Sequence, residues 1–116
     1  MHPTPLAGLH AVVTGASRGI GAVIAASLVA EGVRVSLFGR DRAALSRVAQ
    51  ELGGDERALA VTTDVTDSSS VERAFNEARS RFGPVQLLVN NAGQAASAKF
   101  TDTDEKLWNE LFAVNP

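Results

Sequence analysis

The sequence predicts an α/β fold: a parallel sheet, doubly wound, with helices on both faces. Three observations carry the prediction. Segments of strand character alternate with segments of helical periodicity along the chain, and that alternation implies parallel strands joined by crossover helices. A glycine-rich stretch, Thr14-Gly15-Ala16-Ser17-Arg18-Gly19-Ile20-Gly21, separates the first strand from the first helix, where sheets of this kind hold anionic ligands. The fourth strand is nearly all apolar, as a strand covered on both faces is. Short right-handed crossovers then favour the strand order 3-2-1-4.

Each element has its own signal. Residues 1–8 are a short polar lead containing Pro3 and Pro5. Residues 9–13 form an apolar run read as the first strand. The helix over 22–30 follows the glycine turn, with Ile20, Ile24 and Leu28 as its expected sheet-facing stripe and Gly32 just past its end. Residues 33–38 are rich in β formers and read as strand two. Asp41 is placed to cap a second helix, whose stripe is Leu45, Val48, Ala49 and Leu52 and which Gly53-Gly54 stops. Residues 58–63 read as strand three, ending at Asp64-Val65. Thr66 or Asp67 caps a third helix with Val71, Ala74, Phe75, Ala78 and Phe82 at helical spacing, terminated by Gly83-Pro84. Residues 85–89 are strand four and run directly into Asn90-Asn91-Ala92-Gly93. After a loop over 94–100, Thr103 or Asp104 caps a fourth helix carrying Leu107, Leu111 and Val114.

Bulk properties bound the function. A chain of 116 residues, 45% hydrophobic and 21% charged, suits one globular domain. A formal net charge of −2 and a pI near 5.6 give no electrostatic case for nucleic acid or an anionic membrane. The absence of cysteine excludes disulfides and thiolate chemistry. With no secretory signal pattern and no apolar run of membrane-spanning length, a cytoplasmic location is the default. His2 and His10 near the start of the chain are read as structural.

The glycine turn points to a dinucleotide. Free N–H groups and the positive end of the following helix face whatever the turn holds. Glycine lets the backbone bend and approach a phosphate with no Cβ in the way. The spacing of Gly15, Gly19 and Gly21 is G-x-x-x-G-x-G rather than the common G-x-G-x-x-G. Preceded by Thr14, it resembles the short-chain dehydrogenase/reductase family. Asp64-Val65 after strand three, Asn90-Asn91-Ala92-Gly93 after strand four and Asn115 in the following helix match the same pattern in order and spacing. The resemblance covers the chain from Leu6 onward, and it extends to members that resemble reductases of 3-oxoacyl thioesters.

That resemblance implies a Rossmann-like domain and a set of roles. Gly15, Ser17, Arg18, Gly19, Ile20 and Gly21 would hold the pyrophosphate side of the cofactor. Asp64 and Val65 would contact the adenine, the carboxylate by a hydrogen bond. Asn90, Asn91, Ala92 and Gly93 would support the central sheet beneath the nicotinamide-side ribose. Asn115 matches the family's catalytic asparagine, although Pro116 after it departs from the usual apolar residue. The family's reaction is hydride transfer between nicotinamide and a carbonyl or alcohol carbon, on a small-molecule substrate and commonly in a dimer or tetramer. Its serine and Tyr-x-x-x-Lys are not in this chain, which contains no tyrosine.

Two further expectations follow. An NAD site places an acid at the end of strand two, whereas a nearby Arg accommodates the 2′-phosphate of NADP. The family's acid would fall at Gly39, and Arg40 follows it, with Arg18 as a second basic residue. NADP(H) is therefore expected, with NAD(H) as the alternative. Strand four would lie at a sheet edge, yet residues 85–89 carry no charge and no proline to protect one. Residues 1–116 are accordingly read as the N-terminal dinucleotide-binding part of one domain that continues past Pro116. The competing functional class is a non-catalytic dinucleotide-binding or redox-sensing module.

Overall fold

The computed structural model describes residues 6–17 and 19–91. Seven elements follow in order: β1 (His10–Thr14), α1 (Gly19–Ala30), β2 (Arg34–Gly39), α2 (Arg42–Glu51), β3 (Ala58–Thr62), α3 (Ser68–Phe82) and β4 (Leu87–Val89). The strands form one sheet in the order β3-β2-β1-β4, and every pairing is parallel. This is the Rossmann-like topology the sequence predicts. The expected fourth helix lies outside the described residues.

Successive residues of a strand point to opposite faces, and here both faces are apolar. Ala11, Val13, Val35 and Leu37 pack with Ala25 of α1 and with Leu45, Val48 and Ala49 of α2. On the other face Val12, Phe38, Val61 and Leu88 pack with Val71, Ala74, Phe75 and Ala78 of α3. Phe38 and Phe75 meet edge to face, with ring centroids 5.2 Å apart. The stripes expected for α2 and α3 are buried except at their last residues, Leu52 and Phe82, which are half-buried.

The stripe expected for α1 needs correction. Ile20 is 71% exposed, and the helix buries Gly21 and Ala25 instead, with Ala22, Leu28 and Val29 packed against the core that contains Ala25. The cause is Gly21. Its backbone lies so close to Gly15 that a Cβ there would fall on the Gly15 carbonyl. That contact fixes the rotation of the helix and turns Ile20 outward. Several boundaries also move. α1 begins at Gly19 and not at 22, β4 is confined to Leu87–Val89, and β2 extends to Gly39. Asp67, not Thr66, caps α3, accepting from the N–H groups of Ser69 and Ser70. Asp41 caps α2 as expected, accepting from the Ala44 N–H.

His10 is structural, as read. It is 1% exposed, with Nδ1 3.0 Å from the Gly83 carbonyl and Nε2 2.8 Å from Ser36 Oγ. Its ring also meets Phe82 edge to face. His10 thereby ties β1 to β2 and to the α3–β4 turn at the end of the sheet away from the glycine turn.

Candidate functional site

Because all four strands are parallel, their carboxyl ends lie along one edge of the sheet. The glycine turn, the Gly39-Arg40-Asp41 turn, Asp64-Val65 and Asn90-Asn91 all emerge there. Open α/β sheets bind ligands at that edge.

The glycine turn is tied down on both sides. Ala16 donates its N–H to the Phe38 carbonyl at 3.2 Å. Thr14 Oγ1 accepts the Asn91 N–H at 2.8 Å and donates toward Asn90 Oδ1 at 3.1 Å. Asn91 Nδ2 donates to the Gly15 carbonyl at 3.2 Å. The two asparagines therefore brace the turn from β4's end.

Glycine is required in the turn for two separate reasons. Gly15 and Gly19 have φ of 62° and 63°, a region that L side chains rarely adopt. Gly21 is needed for space, since a Cβ there would lie on the Gly15 carbonyl and 2.8 Å from Asn91 Nδ2. Around Gly19 the situation is reversed, because no atom of a described residue comes within 4 Å of where its Cβ would be. Open space thus adjoins the first residue of α1, whose first turn carries no acidic residue. Free room among the described residues beside a helix amino end, with no acidic residue in the first turn, fits a pyrophosphate.

The second part of the site lies across β2 and β3. Gly39 ends β2, and a Cβ on it would come 3.2 Å from Leu45 Cδ2. Asp41 is engaged as the α2 cap, which leaves Arg40 as the side chain that can meet a ligand at this turn. Arg40 Nη2 donates to Asp64 Oδ1 at 3.1 Å, and the two side chains are 70% and 44% exposed. The same Oδ1 accepts the Thr66 hydroxyl at 2.6 Å and the Thr66 N–H at 2.9 Å. Asp64 donates its own N–H to Ser70 Oγ at 2.9 Å. These contacts, the Thr66 hydroxyl first and then the Thr66 N–H and Arg40, hold the Asp64 carboxyl below the usual carboxylate range. Arg40, Asp64, Thr62, Thr63, Ser70 and Arg73 line an open cavity of about 490 Å³.

The structure therefore brings Gly15, Ser17, Gly19, Ile20, Gly21, Arg40, Asp64, Val65, Asn90 and Asn91 to one edge. Arg18, Ala92, Gly93 and Asn115 lie outside the described residues. Two partnerships are absent from the sequence reading. Thr66 as an anchor of Asp64 was detectable, because Asp at i often bonds the backbone N–H at i+2. The Arg40–Asp64 pair spans 24 residues and depends on sheet order, so no local signal announces it.

Comparison with known proteins agrees with this geometry. The family model described as short chain dehydrogenase matches residues 9–116. An uncharacterized oxidoreductase of Staphylococcus saprophyticus is 40% identical over 107 residues, covering 90% of this chain and 46% of that protein. Galactitol 2-dehydrogenase (L-tagatose-forming) of Cereibacter sphaeroides is 43% identical over 110 residues, covering 95% and 42%. The chain thus spans about half the length of the curated relatives it matches. Among solved structures, a 3-ketoacyl-(acyl-carrier-protein) reductase from Brucella melitensis complexed with NADH superposes with a TM-score of 0.69 at 38% identity. That match covers 72% of this chain and 33% of the other. A short chain dehydrogenase from Bacillus anthracis gives 0.71 at 27% identity, covering 76% and 36%. The matched model, the relatives and the strand-end geometry agree: the chain belongs to the short-chain dehydrogenase family.

Proposed function

We propose that this chain is the cofactor-binding half of an NADP(H)-preferring oxidoreductase that interconverts a ketone and an alcohol. The observation that carries the cofactor preference is Arg40 at the carboxyl end of β2, directly after Gly39, with Asp41 withdrawn as a helix cap. No acid stands where a ribose 2′-hydroxyl would be bound, and a cation stands where a 2′-phosphate would be. The Brucella reductase is complexed with NADH, so NAD(H) is the competing cofactor.

The residues fit the group. The turn from Gly15 to Gly21 would hold the pyrophosphate on backbone N–H groups, Arg40 the 2′-phosphate, Asp64 and Val65 the adenine. Asn90 and Asn91 would keep the turn in register by the bonds described above. The nicotinamide supplies or accepts the hydride when bound. Turnover needs a proton donor, and the family's Tyr-x-x-x-Lys and serine are not in this sequence. We place them in the part of the polypeptide that the longer relatives have and this chain does not. Asn115 would serve alongside them. A 3-oxoacyl thioester is the substrate we favour, by likeness to the Brucella reductase. We further propose a cytoplasmic homotetramer with no nucleic-acid or membrane partner. Among the described residues no helix is long and apolar enough to cross a membrane.

The test is kcat/KM for NADPH and NADH in the intact protein and its Arg40→Asp variant, at one ionic strength. Hydrogen bonds to charged groups contribute about 1.5–3 kcal/mol each, so NADPH should lose about 10- to 100-fold. NADH, which has no 2′-phosphate, should be unchanged or improved. A wild type that prefers NADH, or a preference that does not move, would refute the assignment.

A further inference from the structure

We infer that Asp64 is a specificity-determining residue that works through Arg40. Its carboxylate competes with a cofactor 2′-phosphate for the guanidinium, and so limits how strongly the site favours NADP(H) over NAD(H). This rests on the proposed role of Arg40.

Three features of the site support the competition. The first is that Asp64 is held by several bonds and Arg40 by one. Its Oδ1 accepts both the hydroxyl and the N–H of Thr66, and its N–H is bonded to Ser70 Oγ. The carboxylate is thus oriented before any ligand arrives. Arg40 reaches it with a single Nη2 contact from a side chain that is 70% exposed. The anchored anion therefore sets the resting place of the exposed cation.

The second feature is charge. Asp41 and Asp67, the other carboxylates near this edge, are engaged by helix-capping N–H groups. Asp64 is the one whose oxygen meets a cation, because the Arg40–Asp64 contact is the ion pair found among the described residues. A cofactor without a 2′-phosphate leaves that pair intact. A cofactor with one brings a second anion that must compete with the carboxylate for the same guanidinium. Arg40 must then be drawn from the carboxylate toward the phosphate, and NADP(H) alone bears that cost.

The third feature is chemical. Asp64→Asn keeps an oxygen that can accept both Thr66 bonds and removes the charge. The local turn survives while the competition ends. Any contact Asp64 makes with the adenine is common to both cofactors, so it cancels in their ratio.

The experiment is calorimetric titration of NADP+ and NAD+ into the intact protein, at one ionic strength. Wild type, Arg40→Gln, Asp64→Asn and the double variant are compared by the ratio of the two affinities. Asp64→Asn should raise the NADP+ to NAD+ ratio by about two- to five-fold, the size of an exposed ion pair. Arg40→Gln should lower the ratio, and in the double variant the ratio should equal that of Arg40→Gln. If Arg40→Gln lowers the ratio and Asp64→Asn leaves it unchanged or lowers it, the inference is overturned and the NADP reading stands. The inference is also overturned if Asp64→Asn raises the ratio equally with Arg40 absent. If Arg40→Gln itself has no effect, the NADP reading falls and the inference falls with it.

Discussion

His10 shows how a single residue couples the sheet to pH. A carbonyl only accepts, so the contact to Gly83 O places the ring proton on Nδ1, and Nε2 accepts from the Ser36 hydroxyl. Burial disfavours the imidazolium and lowers the His10 pKa from the ordinary 6.5; Arg34 pushes the same way, against bonds to the Gly83 and Pro84 carbonyls. The sign follows from proton binding. Above the unfolded value both states are neutral, and His10 contributes its full stability. As pH falls below 6.5 the unfolded chain takes up a proton that the folded chain resists, and stability is lost down to the folded pKa. Melting temperature in the intact protein should therefore decline as pH falls below 6.5, and His10→Gln should flatten that part of the profile. An equally steep decline in the variant would assign it to other groups. His10 itself could be read as structural from its place in the sequence. Its partners could not, because Ser36 and Gly83 lie 26 and 73 residues away and meet it only once the strand order is known.

At the scale of elements, the strand–turn–helix unit of β1, the glycine turn and α1 carries the binding chemistry. Its position was legible because the spacing of Gly15, Gly19 and Gly21 has few other uses between a strand and a helix. The rotation of α1 was not legible. Ile20, Ile24 and Leu28 repeat every four residues, but the apolar pattern of this helix is nearly uniform around its circumference, running Ala22-Val23-Ile24-Ala25-Ala26. Periodicity cannot choose a face in such a run, and the contact between Gly21 and Gly15 chooses it instead. α2 and α3 have polar and charged residues opposite their stripes, and both buried faces were read correctly. The distinction between the two helical glycines gives a prediction for the unit. Gly19→Val in the intact protein should abolish cofactor binding, because φ of 63° is strained for a β-branched residue and its branch would stand in the open cradle. The sheet should still assemble, since no atom of a described residue lies within 4 Å of that Cβ position. Calorimetry with NADPH and a circular-dichroism melt check both halves. Unchanged affinity would show that the turn is not the phosphate site.

For the whole molecule, the order β3-β2-β1-β4 was legible because the helical segments force parallel crossovers of one hand. That order leaves β4 paired with β1 alone among the described residues. Leu87 and Val89 pack against the α1–α2 side and stay partly exposed, while Leu88 is buried on the α3 side. β4 itself has no charge and no proline, and its apolar side chains pack on both faces of the sheet. Natural edges are guarded by such devices, and an unguarded one pairs with other chains. The relatives supply the physical context, since this chain spans about half their length. Residues 1–116 expressed alone should therefore aggregate or remain partly unfolded. They should also oxidise no NADPH with a carbonyl substrate, because the sequence contains no tyrosine to pass the proton. Light scattering, a thermal melt and absorbance of NADPH with a 3-oxoacyl thioester read the three outcomes. A soluble monomer with a cooperative melt would mean that the edge of β4 is already covered by residues of this chain. Measurable turnover would mean that a group other than the family's tyrosine serves as the acid.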